Sequence, residues 1–331
     1  MIRIKYIDAL KFVAIFSIVI LHMCMVWKDT GFLGQTFFQF KEIVRFGVPL
    51  FLMITGCLIF KKEIDIKEFF KKKTIRIIYP LIFFILISLL FNYGRSNPLT
   101  LYWYCWMIIG VYISIPIVNV FIQNAKSYEI EYFLIFFLIS SLIYNMSYVS
   151  HIQIAVDLGF FLGPISFVVL GYYLSNYEFK LSSNKIVLLS LCVFILISIF
   201  KIYYNDLFNV NDDKILFNLL NFSLSQIIQS ASVFLIIKNI YDSRSIVKTF
   251  LEGNYVSRFI ESISRSSYGI YMMHLFLLRV FLESPLSKIH LSGTKTALII
   301  IVSSCLLLLA SWILILILSK IPFINKFSGY A

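Results

Sequence analysis

The sequence predicts an all-α, polytopic integral membrane protein with about ten transmembrane helices and both termini in the cytoplasm. Three observations carry that prediction. Of 331 residues, 60% are hydrophobic and 14% charged, and the mean hydropathy is +0.88, far from the composition of ordinary soluble domains. Apolar runs of roughly 18 to 25 residues recur along the chain, each long enough to cross about 30 Å of hydrocarbon. Lysine and arginine are distributed unevenly between alternate connections, the asymmetry that sets orientation. The chain 1–331 reads as a single transmembrane domain with no separate soluble domain.

Hydropathy places the spans at 8–27, 43–60, 75–93, 103–123, 131–148, 158–175, 185–204, 215–237, 266–284 and 296–319. The first follows Arg3 and Lys5 as a signal peptide would. His22 to Trp27 is bulky and offers no small-residue cleavage site, so an uncleaved first span is expected. The eighth span contains Ser223, Ser225, Gln226, Gln229 and Ser230, which predicts packing among other helices. Pro49, Pro116 and Pro164 fall inside spans, where membrane helices tolerate them. The termini and the even-numbered connections hold 18 basic residues against 7 in the opposite connections, with Lys201 counted among the 7. That excess places both ends in the cytoplasm. Lys11, Arg45, Arg76 and Arg279 remain in or at the edges of spans.

The net charge of +12 follows from these basic loops facing anionic lipid, so membrane lipids and not nucleic acid are the expected partners. Cys24, Cys57, Cys105, Cys192 and Cys305 all fall in apolar spans without CxxC pairing and read as small buried hydrophobes. No HExxH, GxGxxG, P-loop or nucleophile-elbow pattern occurs. The acidic stretch from Asp206 to Lys214 lacks EF-hand spacing, and no metal site is expected.

The chemistry lies in intramembrane polar groups, which are costly in lipid and mark function. Lys11 and His22 share the first span. Eleven residues at about 1.5 Å each put them roughly 16 Å apart on nearly one face. A neutral imidazole can accept a proton near neutral pH. It can equally serve only as an interhelical hydrogen-bond partner. Asp8 and Lys11 are spaced i, i+3 and can pair, although Lys11 can also snorkel to the headgroups. Arg45 opens RFGVPLFLMITG, where Pro49 and Gly56 break regularity as helices beside cavities do. It is either a lipid-facing anchor or part of a cavity near His22. Lys73 and Arg76, also i, i+3, are predicted to share a face at the start of the third span. Two such cations suit a polyphosphate ligand such as a nucleotide or coenzyme A. SSYGIYMMH (Ser266 to His274) puts Tyr268 and a second histidine, His274, inside the ninth span, with Arg279 beyond. Trp103 sits in an aromatic cluster, Tyr102 to Trp106, that an interfacial belt explains and that could also stack on a sugar face.

Five segments together resemble the acyltransferase family 3 membrane proteins, O-acyltransferases of O-antigen, capsule, exopolysaccharide and peptidoglycan sugars. They are YIDALKFVAIFSIVILH (Tyr6 to His22), RFGVPLFLMITGCLI (Arg45 to Ile59), KTIRIIYP (Lys73 to Pro80), WYCWMIIGVYISIPI (Trp103 to Ile117) and SSYGIYMMH. The resemblance spans nearly the whole chain. The family pattern sets an arginine before the first-helix histidine with ten residues between; here that place is Lys11, and His22 is present. It also sets two arginines, separated by two residues, at the third helix; here they are Lys73 and Arg76. Lys11 and Lys73 keep the charge and lose the planar guanidinium fork. Leu101 stands where a histidine often precedes the fourth-helix tryptophan. Family members often add a C-terminal extracytoplasmic domain, and this chain is expected to be the stand-alone form.

The resemblance implies transfer of an acyl group, usually acetyl, from acyl-coenzyme A to a sugar hydroxyl, in a bacterial inner (cytoplasmic) membrane. Acetyl-CoA or another acyl-CoA would be a donor substrate, with no permanently bound cofactor. A polysaccharide or lipid-linked sugar would be the acceptor. Lys73 and Arg76 would hold donor phosphates, with Lys11 on the path to His22, the base or acyl relay. Arg45 would support the acceptor side or an oxyanion. The competing class is a polysaccharide or lipid-linked sugar transporter, where intramembrane His and Arg are equally expected. A membrane sensor or scaffold is a third.

Overall fold

The computed structural model describes residues 3–26, 41–60, 63–90, 101–150, 158–208, 223–243, 245–283 and 294–330. These are helical almost throughout, with no strand among the described residues. The helices are α1 (Lys5–Val26), α2 (Gly47–Ile59), α3 (Ile66–Lys73), α4 (Tyr79–Leu90), α5 (Trp103–Asn124), α6 (Ser127–Ser150), α7 (Pro164–Asn176), α8 (Ser183–Phe208), α9 (Leu224–Asp242), α10 (Ile246–Glu252), α11 (Asn254–Glu283) and α12 (Thr294–Lys320). Among the described residues seven helices are long and apolar enough to cross a membrane: Lys5–Cys24, Lys41–Ile59, Ile66–Leu90, Trp103–Asn124, Ser127–Tyr144, Ser183–Tyr203 and Ala297–Lys320. The sixth, eighth and ninth predicted spans are helical too, but α7 has only 13 residues and α9 and α11 carry more polar residues. Positions 215–222 of the eighth predicted span, and the acidic stretch beyond Phe208, lie outside the described residues.

The chain divides into two compact units. The first is Met1–Leu10, Arg45–Glu63 and Ser114–Ser257; the second is Lys11–Val44, Ile64–Ile113 and Arg258–Ala331.

In the first unit, α2 and α7 meet backbone to backbone. A Cβ on Gly56 would collide with the Val168 carbonyl, and one on Gly171 with Met53. Small residues let membrane helices approach this closely, and the Cys57 thiol uses the proximity to donate to the Gly171 carbonyl at 3.1 Å. Gly163, at φ +128°, turns the chain into Pro164, which opens α7 at its first residue. The proline therefore starts this helix and does not interrupt it, as its missing N–H allows.

A polar seam joins α8 to α9. Lys201 donates to Gln229 Oε1 at 3.1 Å, and Gln229 Nε2 donates to Ser198 at 3.1 Å. Lys201 is 2% exposed and Gln229 fully buried. Lys201 is therefore not the loop cation that the sequence predicts: its ammonium is satisfied inside the helix pair. The burial of Gln226, Gln229 and Ser230 matches the packing predicted from their polarity. Lys238 caps the end of α7, donating to the Leu174 and Ser175 carbonyls at 2.9 and 3.0 Å, the role of a cation at a helix C-terminus. Cys24, Cys57 and Cys105 are buried as expected, while Cys192 is exposed on a long apolar helix.

In the second unit, α11 is held on α12 by Trp312 Nε1 donating to Ser262 at 3.1 Å. Gly269 admits the Ser328 carbonyl and Ile315 where a Cβ would clash. The segment after α12 folds back so that Phe327 stacks on Tyr79, with centroids 5.7 Å apart.

The third span differs from expectation. Helix begins at Ile66, well before 75. Asp65 caps it, its side chain accepting from Glu68 N–H at 2.8 Å, and Lys71, Lys72 and Lys73 occupy its last turn. That charge order favours a helix. A π-helical turn, Thr74–Ile78, then joins α3 to α4.

Candidate active site

Most predicted site residues fall in the second unit. The α1 segment from Lys11 carries both Lys11 and His22, each half-buried. Helix α11 brings His274 to His22. His274 Nε2 lies 3.0 Å from His22 Nδ1, and the rings are 5.0 Å apart and tilted by 43°. His274 Nδ1 is 3.0 Å from the Ile270 carbonyl one turn back. His274 is completely buried. Tyr271 flanks it at 5.6 Å, and Tyr104 of α5 lies 5.0 Å from Tyr271. Of the fourth-helix aromatics, Tyr104 (7% exposed) therefore reaches the histidine helix, while Trp103 is 38% exposed. The outward position of Trp103 fits an interfacial belt.

Lys73 and Arg76 lie elsewhere on this unit. Lys73 turns onto two rings, its ammonium 4.6 Å from the Tyr112 centroid and 5.5 Å from that of Phe69. Such contacts are attractive but leave a full positive charge. Lys73 is half-buried while Arg76 is exposed, and a π turn, Thr74–Ile78, follows Lys73 and contains Arg76; its i→i+5 bonding widens the helix there. The hydroxyl of Tyr268 donates to the Ile77 carbonyl inside that turn at 3.0 Å, tying the histidine helix to the segment that presents Arg76.

Asp8 and Arg45 belong to the first unit. The Asp8 carboxylate takes a fork from Arg3, at 2.6 and 2.9 Å, a partner that i, i+3 spacing did not indicate. The backbone carbonyl of Arg45 accepts from Gln226 Nε2 at 2.9 Å. Sequence reasoning missed Glu42, a fully buried carboxylate in the second unit; its place beside Lys41 ahead of an apolar run looks like an ordinary loop. It also missed Tyr112, which reads as a generic membrane aromatic, and it placed Tyr104 only in the interfacial cluster Tyr102 to Trp106.

A family model described as an acyltransferase domain matches residues 4–316. The chain belongs to acyltransferase family 3. Comparison with curated proteins returns no match, and comparison with solved structures returns none. Acyl transfer by a multi-pass membrane protein is thus the general activity of this family's fold. The match takes in all the site residues named above, from Asp8 to His274.

Proposed function

We propose that this acyltransferase moves an acyl group, acetyl in the first instance, from acyl-coenzyme A to a hydroxyl of a cell-surface or lipid-linked polysaccharide sugar, in a bacterial inner membrane. The observation that supports this is the His22–His274 contact of 3.0 Å on the unit that also carries Lys11, Lys73 and Arg76, in a chain whose family is one of acyltransferases. Arg76 offers a bidentate fork and Lys73 a point charge to donor phosphates. Helix α1 then spans roughly 16 Å from Lys11 to His22, so a donor anchored at the cations would lead its thioester towards the imidazole. His22 would remove the acceptor's proton as its oxygen attacks the thioester carbonyl. Acyl-CoA is a substrate in this scheme, with no resident cofactor.

Mass spectrometry of surface glycan from a deletion strain tests the assignment. Loss of one acyl substituent with polymer length intact is the expected result. Loss of the polymer itself from the surface would point to export, and unchanged acylation would reject the proposal.

A further inference from the structure

Two neutral histidines joined by one hydrogen bond must agree on where their protons sit. His274 Nδ1 is 3.0 Å from the Ile270 carbonyl. A carbonyl only accepts, so this nitrogen carries the hydrogen. His274 Nε2 is then the lone-pair nitrogen of its ring. It lies 3.0 Å from His22 Nδ1, so in the neutral ring that atom carries the hydrogen and donates it; the Ile18 backbone one turn back on α1 hydrogen-bonds the same ring. The remaining nitrogen, His22 Nε2, holds a lone pair. Complete burial of His274 keeps bulk water from offering a competing arrangement. The anchor is rigid, because Ile270 and His274 are successive turns of one 30-residue helix, and Tyr271 packs beside the ring.

We propose that His274 is a positioning residue: through Nε2 it holds His22 in the Nδ1–H tautomer, which makes His22 Nε2 the atom that takes the acceptor's proton. This rests on the reading of His22 as the base. In the step, the acceptor O–H bond breaks and its proton goes to His22 Nε2, while the oxygen bonds to the acyl carbon. The C–S bond then breaks. The departing thiolate takes the proton from Nε2 and leaves as coenzyme A thiol, returning His22 to its neutral form. While His22 is an imidazolium, its Nδ1–H makes a charge-assisted bond to the neutral His274 ring. The orienting member of a catalytic triad does the same for its histidine, here with an imidazole in place of a carboxylate.

The test uses the full chain, ¹⁵N-labelled on histidine, in lipid nanodiscs. The sequence has 4 histidines, and the double variant His151→Gln, His290→Gln leaves only the two rings of interest. The expected spectrum shows His22 protonated at Nδ1 and bare at Nε2, with a nitrogen–nitrogen coupling across the hydrogen bond to His274 Nε2. A proton on His22 Nε2 in the neutral protein, or the absence of that coupling, would overturn the inference. Kinetics supply a second arm. His274→Leu should lower kcat at least about tenfold, as loss of the residue that holds a catalytic histidine's tautomer does in a triad, with the acyl-CoA KM within about twofold of wild type. His274→Gln, whose amide oxygen can accept from Nδ1–H, should recover most of the loss. Equal damage by Leu and Gln, or damage confined to KM, would contradict positioning. Normal turnover by His22→Ala would remove the base and this role with it; a misplaced proton would remove this role alone.

Discussion

Lys238 and Lys73 are the same residue type in opposite surroundings. In the first unit, Lys238 donates to the carbonyls that end α7, and Lys201 donates into the Gln229–Ser198 seam. Each ammonium meets oxygen atoms supplied by the fold. In the second unit, Lys73 meets aromatic faces, which attract its charge without neutralising it, and Arg76 is exposed. The first unit uses charge to hold helices together, and in the proposed function the Lys73 and Arg76 charges of the second meet an anion. The contrast also separates two meanings of an intramembrane cation that cost the same in lipid.

The contrast can be broken by substitution. His22→Ala should have the largest effect. Turnover should fall by roughly 10²- to 10⁴-fold, the usual contribution of a general base, while the protein inserts normally; acyl transfer by the purified protein checks this. Lys73→Met should come next. Loss of one charge-assisted contact of about 1.5–3 kcal/mol should raise the acyl-CoA KM by roughly ten- to a hundredfold and leave kcat nearly unchanged in steady-state kinetics. Gln229→Leu belongs to the other unit and should do the reverse. It removes the Lys201 acceptor and costs about 1–3 kcal/mol of stability, visible in a thermal melt, while KM stays put. Tyr268→Phe removes one neutral hydrogen bond from the π turn, worth about 1 kcal/mol, and should raise the acyl-CoA KM severalfold. Trp103→Ala should change either kinetic constant by less than about twofold, since its ring lies outward.

The helical architecture was legible because burial in lipid writes itself into long apolar runs, and Lys11, His22, Lys73, Arg76 and His274 were legible because ionisable groups stand out against them. What joined them was not. His22 and His274 are 252 residues apart, and no spacing rule links positions on different helices. The π turn Thr74–Ile78, which follows Lys73 and contains Arg76, is a feature that α-helical periodicity cannot anticipate. Lys201 was misplaced because its own sequence neighbourhood, near the end of a span, resembles a loop boundary; its acceptor, Gln229, lies on another helix. Glu42 is buried by tertiary packing that its KE neighbourhood does not signal.

Calorimetric binding of coenzyme A to the purified protein in nanodiscs tests the contrast most directly, comparing wild type with Arg76→Ala and Lys238→Met. Wild type and Lys238→Met should bind equally, with Arg76→Ala at least about tenfold weaker, as loss of a charge-assisted contact requires. Equal affinity in wild type and Arg76→Ala, or no binding by wild type, would contradict the assignment of the cations to the donor.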